Sequence, residues 1–153
     1  MDLILWRHAE AVEDVVTGDD MARRLTPRGE KQATRMAAWL DRQLPDGVRV
    51  WVSPAQRAQQ TAQALGHKFR TSPALAPQGT PEQLLELVQW PHAKGCVLVV
   101  GHQPTLGQTV ATLLGLKASE CAVKKGAVWW LRYRERELVS QTVVVTVQSP
   151  ELL

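Results

Sequence analysis

Leu3-Ile4-Leu5-Trp6-Arg7-His8 runs an apolar stretch straight into a cation and an imidazole. So short and so apolar a run reads as a buried strand of an α/β sheet. Two later segments repeat the device. Val50-Trp51-Val52-Ser53-Pro54-Ala55-Gln56-Arg57 and Val97-Leu98-Val99-Val100-Gly101-His102 each carry an apolar strand into a turn or helix that bears a basic residue. Open α/β sheets do their chemistry at the carboxyl ends of their strands. Three strand ends therefore deliver two arginines and two histidines to one place, a combination that suits a phosphoryl group.

Outward from these strands the pattern alternates. Apolar runs at 2 to 6, 48 to 52 and 96 to 100 are separated by helical stretches near 27 to 43, 54 to 65, 81 to 90 and 104 to 114. Strands alternating with helices predict an α/β fold, a three-layer sandwich with a mostly parallel central sheet. Residues 127 to 133 and 138 to 147, split by Arg134-Glu135-Arg136-Glu137, predict a C-terminal antiparallel hairpin that finishes it. Thr26-Pro27, Ser53-Pro54, Thr80-Pro81 and Gln103-Pro104 each predict a proline in the first helical turn, three of them behind a hydroxyl cap. Thr80-Pro81-Glu82-Gln83 also fits a capping box. Ala33, Met36, Ala37, Leu40 and Leu44, and later Leu106, Val110, Leu113 and Leu114, recur at helical spacing and read as core, with Gly115 as a helix terminator. If Trp129-Trp130 lies in a strand, its two rings point to opposite faces.

The chain has 153 residues, enough for one domain with a real core, and residues 1–153 are expected to form a single domain. No stretch is apolar enough to span a bilayer, so no membrane partner is expected. Cys96 and Cys121 form neither a metal-ligand spacing nor a disulfide framework, and the start carries no basic leader; a cytoplasmic protein is the simplest expectation. The net charge of +3 is spread along the chain rather than gathered into a tract, which argues against a nucleic-acid partner and permits a phosphorylated one. No His-x-His or paired acidic cluster predicts a metal site, and no cofactor is expected.

His8 is the candidate nucleophile. A neutral imidazole attacks phosphorus when one nitrogen is free and a hydrogen bond to the other fixes the tautomer. Arg7 and Arg57 supply fixed positive charge for the equatorial oxygens, and nearby cations depress the imidazole pKa. His102, with Gly101 before it, is a second imidazole able to donate to the phosphate. Glu82 reads first as a capping residue, because the macrodipole at a first helical turn favours the carboxylate over the acid. The acid-rich loop at 11 to 24 is the expected mobile segment, and Asp19, Asp20, Arg23 and Arg24 either close over the substrate or are solvated.

Leu5-Trp6-Arg7-His8-Ala9-Glu10-Ala11, Arg24-Leu25-Thr26-Pro27-Arg28-Gly29, Ser53-Pro54-Ala55-Gln56-Arg57-Ala58-Gln59-Gln60-Thr61-Ala62 and Val100-Gly101-His102-Gln103-Pro104 together resemble the motifs of the histidine phosphatase superfamily. Within it they most resemble the compact SixA-type phosphohistidine phosphatases. The resemblance implies that His8 is transiently phosphorylated while Arg7, Arg57 and His102 bind the phosphoryl group, without a metal. Ala9 stands where the superfamily's motif usually has glycine, a change that SixA-type members share and that costs little unless the position needs a positive φ. Many superfamily phosphatases protonate the leaving group with a carboxylic acid, for which the resemblance makes Glu82 the candidate by position, whereas SixA-type enzymes do without a dedicated acid, because phosphohistidine is an activated phosphoramidate. The span from Gly66 to Gly95 has room for one strand and one helix and for no large cap, so an open site able to admit a protein side chain is expected.

The expected activity is thus a phosphatase acting on a phosphohistidine-bearing protein. A phosphatase of small phosphate monoesters, using Glu82 as acid, is the alternative. A phosphoprotein-binding module without turnover is the alternative of another class.

Overall fold

A computed structural model describes residues 1–13, 16 and 18–153. In chain order its regular elements are β1 (Asp2–Arg7), α1 (Pro27–Gln43), β2 (Arg49–Val52), α2 (Gln56–Gln63), β3 (Arg70–Thr71), α3 (Pro81–Val88), β4 (Cys96–Gly101), α4 (Thr105–Leu114), β5 (Val128–Arg136) and β6 (Val139–Gln148). Short 3-10 turns lie at Asp20–Ala22, Pro73–Leu75 and Pro150–Leu152. The strands form one six-stranded sheet in the order β3-β2-β4-β1-β5-β6. Its first four strands run parallel; β5 is antiparallel to β1, and β6 to β5.

Helices cover both faces, which is why β1 and β4 read as unbroken apolar runs. Ile4, Trp6, Val50, Val52, Leu98 and Val100 face Met36, Ala37 and Leu40 of α1 and Ala58 and Ala62 of α2. On the other face Leu3, Leu5, Val97 and Val99 meet Leu84 and Val88 of α3 and Leu106 and Val110 of α4. Each fully buried Leu or Met contributes about 1.5–3 kcal/mol relative to exposure. Trp130 packs on the first face and Trp129 on the second, the alternation expected of a strand.

Thr26 and Thr80 cap α1 and α3 as expected, Thr80 in a capping box with Gln83, and Gly115 ends α4 at φ 64. Two expected helix starts are displaced. After Ser53-Pro54 the helix begins at Gln56, and the Ser53 hydroxyl turns to a histidine. Pro104 precedes the first residue of α4, and the Gln103 side chain accepts from Gly107 N at 2.6 Å in place of a hydroxyl cap. The hairpin differs too. Arg134, Glu135 and Arg136 stay in β5, paired to Gln141, Ser140 and Val139, and the turn falls at Glu137-Leu138, both at positive φ. A charged stretch continues as strand because at this end both of its faces are exposed to water.

Between Gly66 and Gly95 the chain holds β3, one 3-10 turn and α3. No cap domain is inserted there. Of the loop at 11 to 24, Asp14, Val15 and Thr17 lie outside the described residues; Ala11 bridges Leu25, and Asp20–Ala22 forms its 3-10 turn. Among the described residues no helix is long and apolar enough to cross a membrane.

Candidate active site

β2, β4 and β1 lie side by side and point the same way, so their carboxyl ends share one rim of the sheet. Arg7 ends β1 and His8 follows it; Ser53 follows β2; His102 follows β4; Arg57 is the second residue of α2. The backbone ladder continues past the strands: His8 N donates to Gly101 O at 3.1 Å and Ser53 N to Val100 O at 3.0 Å. His8, His102 and Arg57 are 6%, 3% and 4% exposed, and the two imidazole centroids are 5.1 Å apart. The four basic residues expected to converge do so.

His8 is held in one tautomer. Its Nδ1 lies 2.7 Å from the carbonyl oxygen of Ala9, so Nδ1 carries the proton and donates it there. That leaves the Nε2 lone pair, which accepts from Arg57 Nε at 3.4 Å. Burial, followed by the charges of His102, Arg57 and Arg7, lowers the His8 pKa to about 3 despite the bond to Ala9. The ring is therefore neutral at pH 7, with its lone pair on the rim side. Ala9 is not in a positive-φ conformation, and its amide donates to Thr61 Oγ1 at 3.1 Å. Thr61 in turn donates to the Arg57 carbonyl at 2.7 Å, which ties the end of β1 to α2.

His102 is fixed from the opposite nitrogen. Its Nε2 is 2.7 Å from Ser53 Oγ, and that oxygen already accepts from Ala55 N at 3.2 Å. Among the described residues the Ser53 hydroxyl has no acceptor within hydrogen-bond distance other than Nε2, so its proton is placed there and the ring proton is assigned to Nδ1. That Nδ1 is buried without a partner. Burial, then the charge of Arg57, lowers the His102 pKa to about 4, with Asp20 acting in the other direction. Arg7 donates from Nη1 to Val123 O at 2.8 Å, while its Nε is likewise buried without a partner. Unpaired buried donors cost about 1–3 kcal/mol each, so two of them on one rim indicate an anion site that a bound oxyanion would satisfy.

Sequence reasoning did not find Ser53, Thr61 or the Ala9 and Val123 carbonyls. A serine before a proline signals a helix cap equally well, and backbone acceptors leave no mark in side-chain identity. Asp20, left open between closing over the substrate and solvation, contacts Arg57: its carbonyl accepts from Arg57 Nη1 at 2.7 Å and its Oδ2 from Nη2 at 3.0 Å. Glu82 stands exposed on the first turn of α3, and no hydrogen bond joins it to His8, Arg7, Arg57 or His102. Among the described residues no cluster of three or more His, Cys, Asp or Glu is placed to hold a metal. Cys96 and Cys121 are free thiols.

The family model described as histidine phosphatase superfamily (branch 1) matches residues 3–78. The phosphohistidine phosphatase SixA homolog of Haemophilus influenzae is 33% identical over 130 residues, covering 75% of this chain and 78% of that protein. The chain belongs to the histidine phosphatase superfamily. Within it the chain is SixA-like: the phosphohistidine phosphatase SixA of Escherichia coli is 33% identical over 121 residues, 74% of each chain. A solved structure of the protein histidine phosphatase SixA complexed with tungstate superposes with a TM-score of 0.77 at 27% identity, covering 99% of both chains.

Proposed function

We propose that this SixA-like hydrolase removes phosphate from phosphohistidine on a partner protein through a phospho-His8 intermediate. The observation that carries the reading is the opposed anchoring of two imidazoles on one buried rim: the partners of His8 Nδ1 and His102 Nε2 assign a lone pair to His8 Nε2 and a proton to His102 Nδ1. In the first step the P–N bond of the donor breaks and a P–Nε2 bond forms. The departing imidazole keeps the electron pair and leaves neutral, because its distal nitrogen already holds a proton. His8 Nδ1–H stays on the Ala9 carbonyl and stabilises the cation that His8 becomes. Water then attacks phosphorus, Nε2 recovers its electron pair, and inorganic phosphate leaves with the excess proton passing to solvent. Arg7 and Arg57 neutralise the equatorial oxygens and neutral His102 donates to them from Nδ1 in both steps, so the scheme invokes no metal or cofactor.

A donor of the same bond type as the intermediate makes the first step nearly balanced and removes the need for an acid. That agrees with the exposed Glu82. Use of Glu82 as a general acid on phosphate monoesters lacks a contact that would bring its carboxyl to the rim. With no cap inserted between Gly66 and Gly95, a protein side chain is the substrate favoured here, and a phosphohistidine-bearing protein in the cytoplasm, met by a single domain over residues 1–153, completes the proposal. Comparing kcat/KM for a phosphohistidine protein with values for sugar phosphates and nucleotides tests the substrate class. Preference for the phosphohistidine protein by at least about 100-fold is expected, a discrimination of about 3 kcal/mol. Preference for monoesters that is lost in Glu82→Gln overturns it, and phosphate-dependent binding without turnover replaces it with a binding module.

A further inference from the structure

Arg57 spends its edge and its end on different partners. The Nε–H points at His8 Nε2 at 3.4 Å, while Nη1 donates to the Asp20 carbonyl at 2.7 Å and Nη2 to Asp20 Oδ2 at 3.0 Å. A guanidinium is planar, so holding both terminal nitrogens fixes the direction of the Nε edge. Asp20 is itself held from outside: Arg23 Nη1 donates to its Oδ1 at 3.0 Å, and Arg23 Nε donates to the Val12 carbonyl at 2.8 Å. The Asp20 side chain is 54% exposed against 5% for that of Arg57, so the carboxylate stands at the mouth of the site and the guanidinium on its floor. Arg7 takes a backbone carbonyl with Nη1 and leaves its Nε unpartnered.

We infer that Asp20 is a positioning residue: it clamps the terminal nitrogens of Arg57 so that the Nε edge faces the phosphoryl group on its way to and from His8. The inference rests on the phospho-His8 reading above. Once phosphorus occupies the Nε2 lone pair, the Arg57 Nε–H loses that acceptor and turns to an equatorial oxygen without movement of the guanidinium. Asp20 grips the end of the fork and leaves the edge to the phosphate, so it orders the catalytic cation without competing for its place. A clamp of this kind acts most strongly where charge on the oxygens is redistributed, in the transition state.

The test is a double-mutant cycle on the full chain with Asp20→Ala, Arg57→Ala and both together, with Asp20→Asn alongside. Turnover is followed on a phosphohistidine protein and on 4-nitrophenyl phosphate, with orthovanadate as the transition-state probe. Asp20→Ala is expected to lower kcat on whichever substrate is turned over by about 10- to 100-fold, with KM changed less than about threefold, and to weaken orthovanadate inhibition by a similar factor. Asp20→Asn keeps an oxygen for Nη2 and restores kcat to within about fivefold of the native value. In the Arg57→Ala background the Asp20 change costs less than about twofold. Unchanged kcat in Asp20→Ala, or a loss that persists without Arg57, overturns the inference. Failure of the phospho-His8 reading shows separately, as absence of label on His8 in the native enzyme.

Discussion

His8 Nε2 and Arg57 Nε face each other at 3.4 Å, a lone pair met by a donor at the point where phosphorus would bind. On the proposed mechanism the arginine would hold the nucleophile's face until phosphate arrives and would pass its hydrogen bond to the phosphoryl group as the bond to His8 forms. Arg57→Ala is expected to lower kcat/KM by about 10²–10³-fold, the usual cost of removing one preorganised donor. Arg57→Lys recovers little of this, because a single ammonium cannot meet His8 and both Asp20 oxygens together. Steady-state kinetics on the purified variants checks both.

Ser53 sets the tautomer of His102. Ser53→Ala leaves His102 Nε2 and the amide of Ala55 without their partner, and the ring proton is no longer confined to Nδ1. A drop in kcat of about tenfold is expected, together with a loss of about 1–3 kcal/mol of folding stability. Denaturant unfolding and kinetics on the same preparation measure the two effects. An unchanged kcat would show that His102 donates from its other nitrogen.

The buried imidazoles predict acid sensitivity. His8 titrates near 3 and His102 near 4 in the folded protein, while both titrate near 6.5 once unfolded. Between those values the unfolded chain binds more protons, so stability falls as pH is lowered from about 6.5 towards 4. Each histidine contributes at most about 1.4 kcal/mol per pH unit across its window. Unfolding curves between pH 7 and 4 are expected to show a shallower decline for His8→Asn than for the native chain. The His8 ring resonances should also stay at their neutral positions down to pH 5.

Gly29 lies where a Cβ would collide with the Glu10 carbonyl oxygen. That carbonyl accepts from Thr26 N, and Glu10 directly follows the residue whose carbonyl anchors His8. Gly29→Ala must push the Ala9-Glu10 backbone or the first turn of α1. A stability loss of about 1–3 kcal/mol is expected, with a fall in kcat because the His8 anchor moves. A variant with lowered stability and native kcat would show that the strand end tolerates the shift.

The fold was legible because its signals are local and strong. The unbroken apolar runs of β1 and β4, the helical spacing of Met36, Ala37 and Leu40, and the Thr-Pro caps of α1 and α3 each state their own structure. The hairpin turn was misread because Arg134-Glu135-Arg136 resembles a loop until β6 is seen alongside it. Arg7, His8, Arg57 and His102 were legible as a set because each ends, or closely follows, a strand. Ser53 and Asp20 were not, since a hydroxyl before a proline and an acid in a charged loop each have an ordinary role nearer to hand. Their partners lie 49 and 37 residues away in sequence, and only the folded sheet edge brings them together.

The most direct test of the central claim is to trap the intermediate. Enzyme is mixed with a partner protein carrying radiolabelled phosphohistidine, quenched within milliseconds in alkali, and digested to locate the label. The account predicts transient label on the peptide containing His8, decaying into inorganic phosphate at the rate of turnover, and neither label nor turnover in His8→Ala. Turnover by His8→Ala at the native rate, or native turnover with no label on His8 at any time, would contradict it.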